Sequence, residues 1–232
     1  MKQIEQITQG LWDLQDCSYR DFQAKLIPTL DKEKIIGVRT PALRKYAKEV
    51  MHHPQVKAFL LRLPHTYYEE NNLHGELLCL MYKKDLEGFL AQLEKYLPYI
   101  DNWATCDMLA PKVFCQDLSL VYQKIQTWLA SEQEYTVRFG IVSLMRFYLD
   151  EAFQPEMLDR LMQVQLDTYY VNMTLAWYYS MALVKQYEAV IPLLENHVLK
   201  PWVHNQTIQK ACDSKRFSQT QKAYFKSLRW KG

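Results

Sequence analysis

Hydrophobic residues recur every three or four positions along almost the whole chain, whereas strict alternation of polar and hydrophobic residues is hard to find. Near the start of the chain, one such series consists of Ile4, Ile7, Leu11 and Leu14. This spacing places apolar side chains on one face of an α-helix, while alternation would have indicated a β-strand. The pattern therefore predicts an all-α protein.

The same spacing predicts short helices over most of the sequence. A second apolar stripe consists of Phe22, Leu26 and Leu30. Thr40 is expected to cap the next helix, because its hydroxyl can bond a free backbone N–H and Pro41 suits the first helical position. Further helices are predicted over residues 73–82, 86–97, 118–129, 137–149, 155–166, 170–184, 187–197, 201–212 and 220–230.

Short connectors join these helices, and no Gly/Ser-rich linker separates them. We therefore expect a single domain over residues 1–232, arranged either as a compact bundle or as a stack of helix pairs. HEAT-type repeats are about 40 residues long, and helix pairs bounded by a proline or a cap favour the stack. The expected fold is a HEAT-like helical-repeat solenoid, a curved superhelix of antiparallel helix pairs whose second helices line the concave face.

Composition excludes several classes of protein. The 232 residues include only 6 glycines, too few for a turn-rich all-β chain, and 49% hydrophobic with 23% charged residues indicates a folded globular protein. The five cysteines form no C-x-x-C pair, so neither a zinc site nor a disulfide framework is indicated. Reduced thiols in a cytoplasmic protein are expected instead. No stretch is long and apolar enough to span a membrane.

Charge is unevenly distributed, although the net charge of the chain is only +2. Residues 210–232 contain one acid, Asp213, and seven cations, which gives this segment a charge of +6 and leaves −4 for the rest. The seven cations are Lys210, Lys215, Arg216, Lys222, Lys226, Arg229 and Lys231. Such a segment is typical either of a solvated basic helix or of a surface that binds a polyanion.

A second basic group surrounds the predicted cap at Thr40. It consists of Arg39, Arg44, Lys45 and Lys48. Basic groups at both ends of a curved solenoid would suit a polyanion lying along its concave face.

The segment 100–107 departs from the amphipathic pattern. It contains Trp103 and Asp107, whose spacing of four residues places both side chains on one face of a helix. Arg138 follows Asp107 by 31 residues and Trp177 follows Arg138 by 39, and both intervals are close to the length of one helix pair. The four side chains could therefore project from successive inner helices onto one patch that binds an anion and a ring.

Each of these residues also has an ordinary structural explanation. Asp107 could cap a helix or pair with a lysine, and both tryptophans could pack in the core. Arg138 could form a salt bridge with Glu134, one helical turn earlier. The spacing alone specifies no reaction.

Four elements of the sequence occur in the order found in a known family. Residues 37–44 are similar to its signature G-[IV]-x-x-P-x-x-R, and residues 103–107 match its W-x-x-x-D element. Arg138 and Trp177 have the separation of the arginine and the second tryptophan in its cleft. From about Phe22 to the C-terminus, the chain thus resembles the AlkD family of HEAT-like-repeat DNA glycosylases, which repair alkylated DNA.

The resemblance implies a superhelix whose concave face grips double-stranded DNA. Members of the family excise purines alkylated at N3 or N7, which already carry a positive charge and leave as neutral bases. The sugar left behind resembles an oxocarbenium ion, and a nearby carboxylate stabilises it, as in glycosidases. The resemblance assigns this catalytic role to Asp107, together with the positioning of the attacking water.

The resemblance also assigns roles to the other matched residues. Trp103 and Trp177 would lie against the deoxyribose and its phosphates, where electron-rich rings favour a cation. Arg138 would hold backbone phosphate through charge-assisted hydrogen bonds. Further DNA contacts are expected from the basic groups, at Arg39, Arg44, Lys45, Lys210, Lys215 and Arg216. No deep pocket for an extruded base, no metal and no cofactor are implied, and we expect a monomer that does not bind membranes.

Two other functions are compatible with the sequence. Pro28 would kink or end the helix that contains Phe22, in the region where relatives contact DNA. This change suits a non-catalytic HEAT-like protein that binds bent, branched or damaged DNA. The charge of −4 outside residues 210–232 suits a third candidate, a solenoid that binds other proteins on its concave face.

Overall fold

A computed structural model describes residues 5–231, so Ile4 of the first predicted stripe lies outside the described residues. The structure is 69% helical, and no strand occurs among residues 5–231. The chain divides into two compact units, Met1–Gln116 (unit 1) and Asp117–Gly232 (unit 2). The prediction of an all-α protein is confirmed.

Unit 1 contributes the first seven α-helices. They are α1 (Glu5–Trp12), α2 (Cys17–Leu26), α3 (Thr40–Val50), α4 (Val56–Leu61), α5 (Tyr68–Met81), α6 (Leu86–Tyr96) and α7 (Trp103–Met108). Shorter 3₁₀ helices span Lys32–Lys34, Leu97–Tyr99 and Lys112–Gln116.

Unit 2 contributes the remaining seven α-helices within the described part of the chain. They are α8 (Leu118–Leu129), α9 (Glu134–Phe147), α10 (Glu156–Met162), α11 (Tyr169–Lys185), α12 (Tyr187–Glu195), α13 (Pro201–Asp213) and α14 (Gln219–Ser227).

The main core of unit 1 lies where α1, α3 and α5 contact one another. Ile7 and Leu11 of α1, Leu43 of α3, and Leu73 and Leu77 of α5 are all buried there. Removing such side chains from water contributes about 25 cal/mol for each Å² of apolar surface. This burial fixes α5, against which the short helix α7 packs.

A buried carboxylate fixes the chain between α2 and α3. Glu69 of α5 accepts hydrogen bonds from the backbone N–H groups of Ile36, Gly37 and Val38, at 2.7 to 3.1 Å. Gly37 has a φ of 96°, and a Cβ at this position would lie 2.5 Å from the carbonyl oxygen of Asp16. Only glycine adopts this conformation readily, so the glycine of residues 37–44 sets the path of the chain into α3.

Unit 2 is built around a row of three helices. Helix α9 packs against α11, and α11 packs against α13, while α8, α12 and α14 each pack against one member of the row. Stacking of successive helix pairs in this way is typical of a helical-repeat fold, as the sequence predicts. That residues 1–232 form one continuous HEAT-like domain stays a prediction.

The predicted apolar stripe on α2 is wrong. Phe22 is 55% exposed and Leu26 is 43% exposed, while Leu30 lies beyond the end of the helix. The buried residue of α2 is instead Gln23, which donates a hydrogen bond to the Tyr68 hydroxyl at 3.2 Å. Alongside this polar contact, Ala24 of α2 packs against the buried cluster of Ile27, Ile35 and Tyr68, and the helix ends at Leu26, shortly before Pro28.

Other predicted helix starts are displaced. Arg39 rather than Thr40 occupies the cap position of α3, and Pro41 is the second helical residue. Helix α5 begins at Tyr68, five residues before the predicted start, because the buried polar residues 69–72 extend it without showing an apolar period. Helix α9 begins at Glu134, three residues before the predicted start.

Candidate functional site

Helix α7 carries Trp103 and Asp107 and is fixed by a chain of buried polar side chains. Asn102 caps the helix, because its Oδ1 accepts the N–H of Thr105 at 2.8 Å. Its Nδ2 also donates to Oγ1 of Thr105 at 2.9 Å, and that hydroxyl donates to Oδ1 of Asn72 at 2.8 Å. Since Asn102, Thr105 and Asn72 are all buried, these bonds are shielded from water and hold α7 firmly against α5.

Trp103 combines an anchoring contact with partial exposure. Its Nε1–H donates to the carbonyl oxygen of Leu26 at 3.2 Å, and its ring packs against the buried cluster of Ile27, Ile35 and Tyr68. The indole is therefore held in one orientation and remains partly accessible.

Asp107 lies one helical turn after Trp103 in the same short helix and is likewise partly exposed. The two side chains share a face of α7, as their spacing predicts. Helix α7 of unit 1 thus carries the Asp107 carboxylate and the Trp103 indole on one face, and the hydrogen bonds of Asn102 and Thr105 fix the orientation of this helix.

The three cations predicted at the start of α3 each have an acidic neighbour. Arg39 binds Asp16 at 2.8 Å and lies over the ring of Tyr19, with its guanidinium carbon 5.0 Å from the ring centroid. The three cations, Arg39, Arg44 and Lys45, are largely exposed, so their ion pairs with acids contribute little to stability and leave the cations accessible. The other two pairs are Arg44 with Glu76 at 2.9 Å and Lys45 with Glu49 at 3.9 Å.

Arg138 is buried in unit 2, with only 5% of its surface exposed. Its Nη1 donates to the carbonyl oxygen of Tyr170 at 3.1 Å and to Oγ1 of Thr174 at 2.5 Å. Glu134, the salt-bridge partner considered for Arg138, accepts the backbone N–H of Tyr170 at 3.2 Å. The guanidinium therefore joins α9 to the first turns of α11.

Trp177 lies one turn after Thr174 on α11 and is partly exposed. Because residues three apart share a helix face, its indole lies on the side of α11 that Arg138 contacts. Lys210 of α13 lies near the same guanidinium. Burial lowers the pKa of Lys210, and the positive charge of Arg138 lowers it further. Unit 2 thus places Arg138 near Lys210, and the spacing along α11 puts Trp177 on the face that Arg138 contacts.

The other two cations predicted from the basic segment lie in the connection after α13. Lys215 and Arg216 are both exposed there. The structure therefore groups Trp103 with Asp107 in unit 1, and Arg138 with Trp177 and Lys210 in unit 2. That all four matched residues converge on one patch stays a prediction.

Several residues that build these sites were not singled out from the sequence. Asn102 precedes Trp103 and carries a recognisable capping signal, an asparagine three residues before a threonine. Thr174 lies three residues before Trp177, a spacing that places both on one helix face. Asn72 had no such signal, because its role depends on the docking of α7 on α5.

Comparison with known protein families shows which family the chain belongs to. The family model of the DNA alkylation repair enzyme matches residues 7–167, more than two thirds of the sequence. The chain belongs to the DNA alkylation repair enzyme family. A comparison with curated proteins gave no match.

Membership of the DNA alkylation repair family confirms the resemblance found in the sequence and indicates a function in the repair of alkylated DNA, with DNA as the partner. The matched region includes Trp103, Asp107 and Arg138, whereas Trp177 lies ten residues beyond it.

None of the helices within residues 5–231 is long and apolar enough to cross a bilayer. The same residues contain no group of three or more His, Cys, Asp or Glu side chains placed to hold a metal ion.

Proposed function

We propose that this member of the DNA alkylation repair family is a DNA glycosylase that binds double-stranded DNA and excises purines alkylated at N3 or N7. The observation that carries the proposal is the pairing of a carboxylate, Asp107, with an indole, Trp103, on a helix held rigidly by buried hydrogen bonds. The proposal includes a HEAT-like fold over residues 1–232, a cytoplasmic location and action as a monomer without metal or cofactor.

The chemistry follows from the charge of the substrate. A purine alkylated at N3 or N7 is cationic, so it leaves as a neutral base without needing a strong acid. Positive charge then develops on the deoxyribose, and a fixed carboxylate beside it stabilises the transition state electrostatically. Asp107 supplies this charge and positions the attacking water. The face of the Trp103 ring adds a favourable contact with the cationic sugar.

The residues of unit 2 hold the nucleic acid in this proposal. Arg138 binds backbone phosphate, since a guanidinium keeps its charge at every physiological pH and forms charge-assisted hydrogen bonds with phosphate oxygens. Trp177 lies beside it, against deoxyribose and phosphate. Weaker phosphate contacts come from the exposed cations Arg39, Arg44, Lys45, Lys215 and Arg216, and from the partly buried Lys210.

The test uses a duplex oligonucleotide with a single N7-methylguanine, and it measures the formation of abasic sites by alkaline strand cleavage. We expect the wild-type protein to release the base, and Asp107→Asn to release it at least about a hundredfold more slowly with duplex affinity unchanged. Asp31→Asn is the matched control, because Asp31 is an exposed aspartate of unit 1 that forms no capping hydrogen bond. Wild-type protein that binds the duplex and never releases the base would falsify the proposal.

A second candidate function is supported by the end of α2. This helix stops at Leu26, just before Pro28, and presents Phe22 to solvent. A non-catalytic protein that binds bent, branched or damaged DNA would tolerate a shortened helix in this region. Salt-dependent binding to such DNA, with no excision of any alkylated purine, would favour this candidate.

A further inference from the structure

A line of aromatic rings runs along one end of the three-helix row in unit 2. The ring of Tyr135 on α9 lies 5.8 Å from that of Tyr170 on α11, measured between centroids. Tyr170 lies 5.1 Å from Tyr169, and Tyr169 lies 5.9 Å from Trp202 on α13. These four residues, the aromatic ladder, connect the first turns of α9, α11 and α13 without a gap.

The two residues at one end of the ladder are exposed and the two at the other end are not. Tyr135 is buried and Tyr170 is partly buried, whereas Tyr169 is 60% exposed and Trp202 is 41% exposed. The rings of Tyr169 and Trp202 meet at 65°, close to edge-to-face, so the pair presents ring surface to solvent. A tyrosine and a tryptophan held together in this way form a rigid, flat and partly apolar platform.

The helix ends beside the platform carry partial positive charge. All four ladder residues lie in the first two positions of helices of 13 to 17 residues, where the helix dipole is positive. Lys200 immediately precedes the first residue of α13 and lies 3.9 Å from Asp167. Two acids lie nearby, where Glu134 accepts the N–H of Tyr170 and Asp167 accepts an N–H of Asn172.

The ladder is continuous with the site proposed to bind DNA. The carbonyl oxygen of Tyr170 accepts a hydrogen bond from Arg138, so the guanidinium and the rings are parts of one hydrogen-bonded and packed assembly. A strand whose phosphate lies at Arg138 would therefore pass the first turn of α11, which carries Tyr169 and Tyr170. Aromatic platforms beside cations are the usual means of binding unstacked bases, since every base offers a ring face.

We propose that Tyr169 and Trp202 stack unpaired nucleobases of DNA whose backbone is held at Arg138, so that the protein prefers DNA containing extrahelical nucleotides. This inference rests on the DNA-binding part of the proposed function and does not require excision. Stacking on a protein ring strengthens binding by about tenfold or more for each base, and fully paired DNA cannot gain this contact.

The test compares three fluorescent duplexes of equal length by anisotropy at one salt concentration. One is fully paired, one carries a bulge of two unpaired thymidines, and one carries a bulge of two abasic nucleotides. We expect the thymidine bulge to bind at least about tenfold more tightly than the paired duplex if one base stacks, and about a hundredfold if both do, and the abasic bulge to bind like the paired duplex. The abasic duplex separates base stacking from a preference for flexible or bent DNA.

Variants locate the effect. We expect Trp202→Leu and Tyr169→Leu each to remove most of the preference for the thymidine bulge while changing the affinity for paired DNA by less than about twofold. The matched control is Tyr224→Leu, since Tyr224 is 40% exposed on α14 of the same unit and lies outside the ladder. Both ladder residues are exposed, so their replacement leaves the core intact.

Several results would overturn the inference. Equal affinity for all three duplexes would exclude a stacking site, and equal loss in the Tyr224→Leu control would exclude the ladder as its place. Self-association of the protein that Trp202→Leu abolishes would show that a second copy covers the platform instead. If the protein releases the alkylated base but shows no preference for the bulge, the stacking proposal is wrong and the proposed glycosylase function is not affected. If it prefers the bulge but releases no base, the glycosylase function is wrong and the stacking proposal is not affected.

Discussion

His65 and His74 lie in contact inside unit 1, with Nε2 of His65 2.9 Å from Nδ1 of His74. The ring of His65 stacks on Phe59 at 4.6 Å and the ring of His74 stacks on Tyr96 at 4.2 Å. Burial lowers the pKa of His65 to about 4 and that of His74 to about 3. At the scale of single residues, the fold therefore depends on two imidazoles that are neutral in the native state.

This pair predicts a loss of stability in mild acid. Unfolded histidines bind protons below pH 6.5, whereas the native pair stays neutral until about pH 4, so stability is complete above pH 6.5 and is lost as pH falls. We expect the free energy of unfolding to fall by at least about 2 kcal/mol between pH 7 and pH 5, measured by urea unfolding.

Two substitutions check the origin of this pH dependence. Replacement of His52 by glutamine should leave the dependence of the unfolding free energy on pH unchanged, because His52 is exposed and lies outside the buried histidine pair. His74→Gln should flatten the dependence even though it lowers stability at pH 7. A slope that survives in His74→Gln would assign the effect to other groups.

At the scale of elements, α7 illustrates how a short helix can be made precise. Its six residues form too few hydrogen bonds to be stable alone, so its orientation comes from the Asn102 cap and the contact of Thr105 with Asn72. Helix α6 offers a useful comparison, because Asp85 caps it by accepting the N–H of Gly88 at 2.8 Å. Both caps stabilise a helix start in unit 1, but only Asn102 lies next to Trp103.

The α7 cap gives a prediction that separates stability from activity. We expect Asn102→Ala to lower the free energy of unfolding by about 1–2 kcal/mol and to slow base release at least about tenfold, because Trp103 and Asp107 lose their fixed orientation. Affinity for duplex DNA should change little. Release is measured with the N7-methylguanine duplex and stability by urea unfolding.

The control for this prediction is the cap of α6. Asp85→Ala removes an exposed cap of a neighbouring helix, so it should destabilise the protein by about 0.5–2 kcal/mol and leave the rate of base release intact. If both variants slow base release equally, the loss in Asn102→Ala reflects general destabilisation.

At the scale of the whole molecule, the net charge is small, but positive charge is concentrated in one segment of the chain. The net charge is +2, yet residues 210–232 carry +6. Attraction between such a segment and DNA comes mainly from the release of counterions from the phosphates, which makes affinity depend steeply on salt. Lys215 and Arg216 are exposed and therefore available for this contact.

The corresponding prediction concerns the salt dependence of binding to undamaged duplex DNA. A plot of log affinity against log salt concentration should be linear, and Lys215→Glu with Arg216→Glu should reduce its slope by about one for each lost phosphate contact. The matched control reverses Lys83 and Lys84, two exposed neighbouring lysines between α5 and α6. An identical slope in wild type and in the Lys215 and Arg216 variant would exclude this segment from the DNA surface.

The sequence by itself determined the class of secondary structure and several helix limits. Helix α8 spans Leu118–Leu129, as predicted, and α6 ends within one residue of its predicted limit. It also placed Trp103 and Asp107 on one face of a helix. These features follow from the helical period and from capping residues, which act between residues close in sequence, so they can be read without knowing the fold.

The tertiary structure decided what the polar residues do. Phe22 and Leu26 are exposed while Gln23 of the same helix is buried against Tyr68, and Arg138 is buried where Tyr170 and Thr174 accept its hydrogen bonds. The partners in these contacts lie 32 to 45 residues apart in the chain. A buried polar side chain needs a hydrogen-bonding partner, and where that partner lies on another helix, the local sequence does not show which helices are in contact.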